Sequence, residues 1–401
     1  MIRSRGLFTV FAMVITMSLL AACGAPQGPG AWPTAQRGAQ TPGGMGIDTS
    51  AAPADQTPVA APPVKVGLIL PLSGPQAGIG QAMEQAAQLA LFDMGYEQYE
   101  LIPRDSGGSP QSAQRAAQDV INDGAQIVLG PLLADSARAV KTVTAEKNVP
   151  MITFSTDWTL AGGNSYVMGF LPFVQIARVA EYAASRGIRT VAYVAPHDMY
   201  GDNAVRVFEQ EAGRLGLNIA GSIRYFGSSG SQLAGQLQTL AKTPGIQAVF
   251  IPVGGMKADE ISSTLSFHGM TPDKTLRLGT GLWDDETLAA RASMQGAVFA
   301  APSPRQYAVF EAKYRSVYGS VPPRLASLTY DAVALTAVLA RQGNPDPYTA
   351  QTLMNPNGFA GMDGIFRFNR NGMVERGLSV LQINNRQIRE IVPAPASFVR
   401  P

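Results

Sequence analysis

Apolar residues run unbroken in short segments separated by stretches where they recur every three or four positions. The first clear run after residue 63 is Val64-Lys65-Val66-Gly67-Leu68-Ile69-Leu70-Pro71-Leu72, which predicts a buried strand ending in a Ser73-Gly74-Pro75 loop. A helix follows over 81–94, with Met83, Ala86, Ala87, Ala90 and Leu91 on one face. The alternation continues: strands over 100–103, 126–129 and 150–154, with helices over 112–122 and 136–147. It then restarts, with helices over 173–186, 203–215, 231–241 and 257–268 and strands over 190–195, 219–225, 247–252 and 275–278. A strand over 295–300, helices over 306–318 and 327–341, and a terminal hairpin from 364–369 and 377–383 complete the pattern, with Asn384-Asn385 as a turn signal. Unbroken apolar strands alternating with helices imply parallel sheets covered on both faces. The stretches 123–130 and 244–251 echo each other, each passing from a helix end through Gly into an apolar strand. That echo suggests two α/β lobes.

The chain before Val64 has a different texture. Arg3 and Arg5 precede an almost wholly apolar run over 7–20, and small residues lead to Cys23, the only cysteine. These are the parts of a secretory signal over 1–22. Leu20-Ala21-Ala22-Cys23 resembles the bacterial lipobox, which implies cleavage before Cys23 and lipidation of its thiol. Gly24 stands where an Asp retains many lipoproteins in the inner membrane, which favours the outer membrane of a Gram-negative cell. Residues 23–63 read as a linker: positions 24–63 hold eight prolines, seven glycines and three charged residues, too little apolar surface to offset the entropy of ordering. As a flexible coil this tether spans about 35 Å root-mean-square.

Composition narrows the chemistry. The 401 residues carry 31 basic and 29 acidic side chains, and losing Arg3 and Arg5 with the signal balances them, so nothing calls for nucleic acid. With 46% hydrophobic and 15% charged residues, the chain suits a large unstapled core. No apolar stretch after the signal is long enough to span a membrane, which leaves the lipid as the only membrane contact. With Cys23 lipidated, no disulfide, thiolate metal site or cysteine nucleophile remains. His197 and His268 match no metal or triad spacing, and no Gly-x-Ser-x-Gly elbow occurs. The expectation is a non-enzyme with no metal and no cofactor.

Gly67-Leu68-Ile69-Leu70-Pro71-Leu72-Ser73-Gly74, Gly130-Pro131-Leu132, Pro150-Met151-Ile152-Thr153, His197-Asp198-Met199-Tyr200-Gly201, Thr329-Tyr330-Asp331-Ala332 and Gly361-Met362-Asp363-Gly364-Ile365-Phe366 occur in an order and spacing that resemble a type I periplasmic binding protein of the leucine/isoleucine/valine receptor kind. The resemblance covers residues 64 to about 393. It implies two doubly wound Rossmann-like lobes with a central cleft, lobe one from 64–172 and 300–345, lobe two from 173–299 and 346–395. The three crossovers are expected near 169–172, near 300–302 and between Gly343 and Gly361. A ligand in such a fold lies beyond the carboxyl ends of the strands. The candidate ligand-binding residues are Ser73, Ala134, Ser136, Ser155, Thr156, Asp157, Tyr200, Gly281 and Trp283. Asp157 either meets a ligand amine or caps the following segment. Tyr200 either stacks on a ligand or packs at a strand end, and Trp283 is a platform or an exposed contact. In amino-acid receptors of this kind an acid in lobe two meets the ligand ammonium; here Thr280-Gly281 takes that place. The implied role is binding a small polar ligand, amino-acid-like or peptide-like, for an ABC permease. Gly130-Pro131-Leu132-Leu133 and Val194-Ala195-Pro196-His197 also resemble lipoproteins that activate a penicillin-binding protein, which is the alternative partner.

Overall fold

The computed structural model describes residues 62–227 and 230–398. The signal over 1–22, Cys23 and all but the last two residues of the 23–63 tether lie outside the described residues.

The first sheet is built from β1 (Val64–Leu70), β2 (Tyr99–Asp105), β3 (Ile127–Leu129), β4 (Met151–Thr153) and β5 (Ser165–Val167), with α1 (Ala77–Met94), α2 (Pro110–Asn122) and α3 (Ala134–Glu146) between them. All its pairs are parallel and the order is β2-β1-β3-β4-β5. The unbroken apolar run of β1 is explained by burial on both faces. Val66, Leu68 and Leu70 pack towards α1, while Ile69 joins a second cluster with Ala113, Ala117 and Val140 of α2 and α3.

The second lobe follows with α4 (Pro172–Ser185), β6 (Thr190–Pro196), α5 (Met199–Leu215), β7 (Asn218–Tyr225), α6 (Gly230–Ala241), β8 (Ala248–Phe250), α7 (Gly255–Phe267), β9 (Leu276–Gly279), α8 (Glu286–Ala289) and β10 (Val298–Ala301). The order β7-β6-β8-β9-β10 repeats that of the first sheet. Strands β3 and β8, which carry the sequence echo, occupy the same place in the two sheets.

The chain then returns to the first lobe through α9 (Pro304–Tyr318) and α10 (Ala326–Arg341). Helix α10 is apolar almost all round because α1 covers one side and the sheet another; Leu328, Val333 and Leu335 are buried with Met83 and Ala86. After α11 (Ala350–Leu353) come β11 (Phe359–Gly361), β12 (Gly364–Phe368) and β13 (Val374–Arg376), a small antiparallel sheet. Strands β14 (Ser379–Asn384) and β15 (Gln387–Val392) close the second sheet, β14 pairing antiparallel with β10.

Two expectations are corrected here. Residues 346–376, assigned from sequence to lobe two, belong to lobe one: Tyr348, Leu353, Phe366, Phe368 and Val374 are part of its core, and Val167 N–H donates to Gly372 O at 2.8 Å. The third passage between lobes is therefore at 377–378, not between Gly343 and Gly361. The terminal hairpin also divides. Residues 364–368 pair with β13, and β14 pairs with β15 across Asn385 and Arg386, both with positive φ. The Asn signal marked a real two-residue turn, but one strand later than expected.

Candidate functional site

Both sheets end, at their carboxyl edges, on a single cavity of about 730 Å³. Lobe one contributes Ala134, Asp135 and Arg138 from the start of α3, and Thr156, Asp157, Trp158 and Thr159 after β4. Lobe two contributes Met199 and Tyr200 from the first turn of α5, and Gly281, Leu282 and Asp284 after β9. The passages between lobes form the floor through Phe170, Pro172, Ala301 and Pro302, joined by Gln175 of α4 and Arg324 just before α10. The size falls within the range of small-molecule sites.

On the lobe-one wall, Asp157 answers the sequence alternatives with both. Its Oδ1 accepts from Thr159 N (3.1 Å) and Thr159 Oγ1 (2.6 Å), capping a 3-10 turn over Trp158–Leu160. Its Oδ2 pairs with Arg138, which also donates to Asp135 Oδ1 at 2.8 Å. The single guanidinium of this wall is thus held between two carboxylates. The lobe-one acids sit over the first turn of α3, where unpaired backbone N–H groups favour negative charge.

On the lobe-two wall, α5 begins four residues earlier than its apolar period suggested, capped by Asp198, whose Oδ1 accepts from Gly201 N at 2.8 Å. Tyr200 therefore lies in a helical first turn, its hydroxyl 3.1 Å from the buried Thr280 Oγ1. Burial raises the phenol pKa, partly offset by that hydrogen bond. Gln175 Oε1 accepts from Gly281 N at 2.8 Å, fixing the loop that carries Asp284. The Asp284 carboxylate makes no hydrogen bond or ion pair with a described residue. It is open to the water of the cleft yet closely surrounded by protein. Burial is the largest influence and raises its pKa, Arg324 opposes, and Asp363 and Asp285 add to the rise.

Beneath the floor lies a charged cluster. Arg324 Nη2 is 2.9 Å from Asp363 Oδ1, and Arg376 Nη1 is 3.9 Å from Asp331 Oδ2. Asp363 is fully buried, and Asp331 and Arg376 nearly so. Ser327 Oγ donates to Asp363 Oδ2 (2.5 Å) and Met362 N to Asp331 Oδ1 (2.7 Å). Arg376 Nη2 donates to Met168 O at 3.0 Å, and its guanidinium lies 5.2 Å from the Phe170 ring centroid. One side chain thus ties the third passage between lobes to the first.

Of the residues picked from sequence, Ala134, Thr156, Asp157, Tyr200 and Gly281 stand in the cavity wall. Ser73, Ser136, Ser155 and Trp283 do not. Ser73 N donates to Asp105 Oδ1 (3.2 Å) at the surface. Ser136 is buried, and so is Ser155, whose Oγ accepts from Asp157 N at 3.1 Å. Trp283 is neither platform nor exposed contact. It is fully buried in the lobe-two core, its indole N–H donating to Val253 O at 2.7 Å. Sequence reasoning missed Arg138, Arg324 and Asp284; Asp284 lies three residues beyond Gly281, where the lobe-two acid was sought.

Among the described residues no group of His, Cys, Asp and Glu is placed to hold a metal, and no helix is long and apolar enough to cross a membrane. A family model described as periplasmic binding protein matches residues 63–387. The chain belongs to the periplasmic binding protein family. Within that family it is of the type I, leucine/isoleucine/valine-binding class. The Leu/Ile/Val-binding protein BraC3 of Rhizobium johnstonii is 26% identical over 257 residues, which is 60% of this chain and 67% of the relative. A putative branched-chain amino acid ABC transporter structure from Rhodospirillum rubrum superposes with a TM-score of 0.72 at 17% identity, covering 82% of this chain and 100% of that one. An ABC transporter substrate-binding protein from Desulfitobacterium hafniense in complex with Leu gives a TM-score of 0.63 at 18% identity, covering 82% and 99%. The first and last of these are named as binding proteins.

Proposed function

We propose that this binding protein is a lipid-anchored receptor of the periplasm that closes its lobes on an amino-acid-like or peptide-like ligand and delivers it to an ABC permease. The observation that carries this reading is the cavity itself, walled by both lobes at the carboxyl ends of two parallel sheets and floored by the passages between them. Such an arrangement suits a ligand that bridges the walls and holds them together by hinge closure. Asp284 supplies the unpaired acid of lobe two that a ligand ammonium would meet, with Tyr200 in the same wall and Trp158 and Phe170 as apolar surface. The anchor rests on Cys23 and its lipobox-like setting, and Gly24 points to the outer membrane.

Calorimetric titration against amino acids, short peptides and muropeptides tests the reading, with small-angle scattering to follow closure. Saturable binding of one ligand class with a fall in the radius of gyration is expected. Capture of a penicillin-binding protein without binding of any solute would overturn it.

A further inference from the structure

We infer that Arg324 is the anchor for a ligand carboxylate, so that the acidic end of the ligand lies against the floor of the cleft. The inference rests on the reading above in taking the cleft as the ligand site, and it fixes which way the ligand points.

The first observation concerns the place where a carboxylate would otherwise go. The start of α3 offers unpaired N–H groups, but Asp135 and Asp157 already occupy that corner and share Arg138. A ligand carboxylate there would face two acids, with the local guanidinium already neutralised. Like charges at that range repel, and the low-dielectric walls strengthen the repulsion.

The second observation is the state of Arg324. Its guanidinium stacks 3.9 Å above the Tyr307 ring and lies beside the buried Asp363, which fixes its position. The closest contact to Asp363 is through Nη2 and lacks hydrogen-bond alignment. Nε and Nη1 donate to no described residue, and the side chain lines the cavity. A guanidinium held over an aromatic ring with Nη1 unspent keeps its charge and a directed N–H donor for a carboxylate oxygen. Asp284, on the lobe-two wall and unpaired, lies near enough to feel the charge of Arg324 on the floor. Together they line one cavity with one positive and one negative group, the complement of a ligand carrying both an ammonium and a carboxylate.

The test uses two probe series in calorimetry. One is leucine, leucinamide and 4-methylpentanoate; the other is phenylalanine, phenylalaninamide and 3-phenylpropionate. Wild type should bind the acids about tenfold or more tightly than the amides. Arg324→Lys, which keeps the charge beside Asp363 but loses the directed guanidinium donor, should narrow that ratio. The double variant Arg324→Gln/Asp363→Asn, which removes both charges together, should bring it close to one. Amides bound as tightly as acids, or an acid preference that survives in the double variant, would overturn the anchor and leave the amino-acid reading standing. Binding of the des-amino acids alone would keep the anchor and overturn the amino-acid reading. Binding of neither series would overturn both.

Discussion

At Asp157 a single carboxylate serves two neighbours, Thr159 through one oxygen and Arg138 through the other. Asp157→Asn keeps the acceptor that caps the turn and loses the ion pair. Because Arg138 is more than half exposed, the expected cost to stability is below about 1 kcal/mol. Chemical denaturation measures that cost. Ligand affinity should change more, because Arg138 then keeps only Asp135 as its partner and the wall loses one negative charge. Tyr200→Phe removes the partner of a buried Thr280 hydroxyl and should cost about 1 kcal/mol in the same assay. Tyr200→Ala should also weaken solute binding; unchanged affinity by calorimetry would move the ligand away from this wall. The residue types in the cleft were only partly legible. A capping Asp and a ligand Asp share the same local sequence, and here both roles coincide. Trp283 sits among glycines, which suggested a ligand platform or an exposed contact. Yet Gly279 is where a Cβ would lie 2.3 Å from the indole, so the glycine exists to admit the ring into the core. Asp284 gave no signal because its unpaired state depends on what surrounds it in space.

Among elements, the first passage between lobes is closely constrained. A Cβ at Gly169 would stand 2.3 Å from Ser155 O, backbone that cannot give way. Gly169→Ala should destabilise by about 1–3 kcal/mol and displace the 155–157 loop, with ligand affinity falling alongside the melting temperature. The strand–helix alternation of both lobes was readable because the inner strands are buried on two faces and most helices on one. The third passage was not. Gly343 punctuates a loop and Gly361 ends β11, both on lobe one, whereas the crossing at 377–378 is only two residues long and its Gly377 looks like the ordinary start of the strand that follows. The small β11–β13 sheet was likewise misassigned, because its ties to Val167 and the lobe-one core are long-range.

For the whole molecule, the buried cluster sets how stability responds to pH. Burial, chiefly, and the neighbouring Asp363 raise the Asp331 pKa well above the ordinary carboxylate range, with Arg376 opposing. The folded state then holds a proton that the unfolded chain releases, so this group costs stability as pH rises from the ordinary carboxylate range towards the raised value. Asp331→Asn keeps the acceptor for Met362 N–H and should flatten that slope, read as the denaturant midpoint between pH 4.5 and 7.5. Asp105 acts in the opposite sense. Burial would raise it, but hydrogen bonds from Ser73, Gly107 and Leu72 prevail and lower its pKa. Its contribution is present above the ordinary carboxylate range and is lost as pH falls through the lowered value.

Three chain segments pass side by side between the sheets, and Arg376 binds the first of them, at Met168, to the last. A single connection would let one lobe swivel freely, and two would still allow a twist. Three parallel links joined by a cross-tie leave bending as the one soft motion. Opening then reduces to a single angle. A ligand that fits poorly at the mouth cannot be accommodated by rotation, only by a wider gap. Among ligands that share the floor contacts, affinity should therefore fall in step with the angle at which each holds the lobes apart.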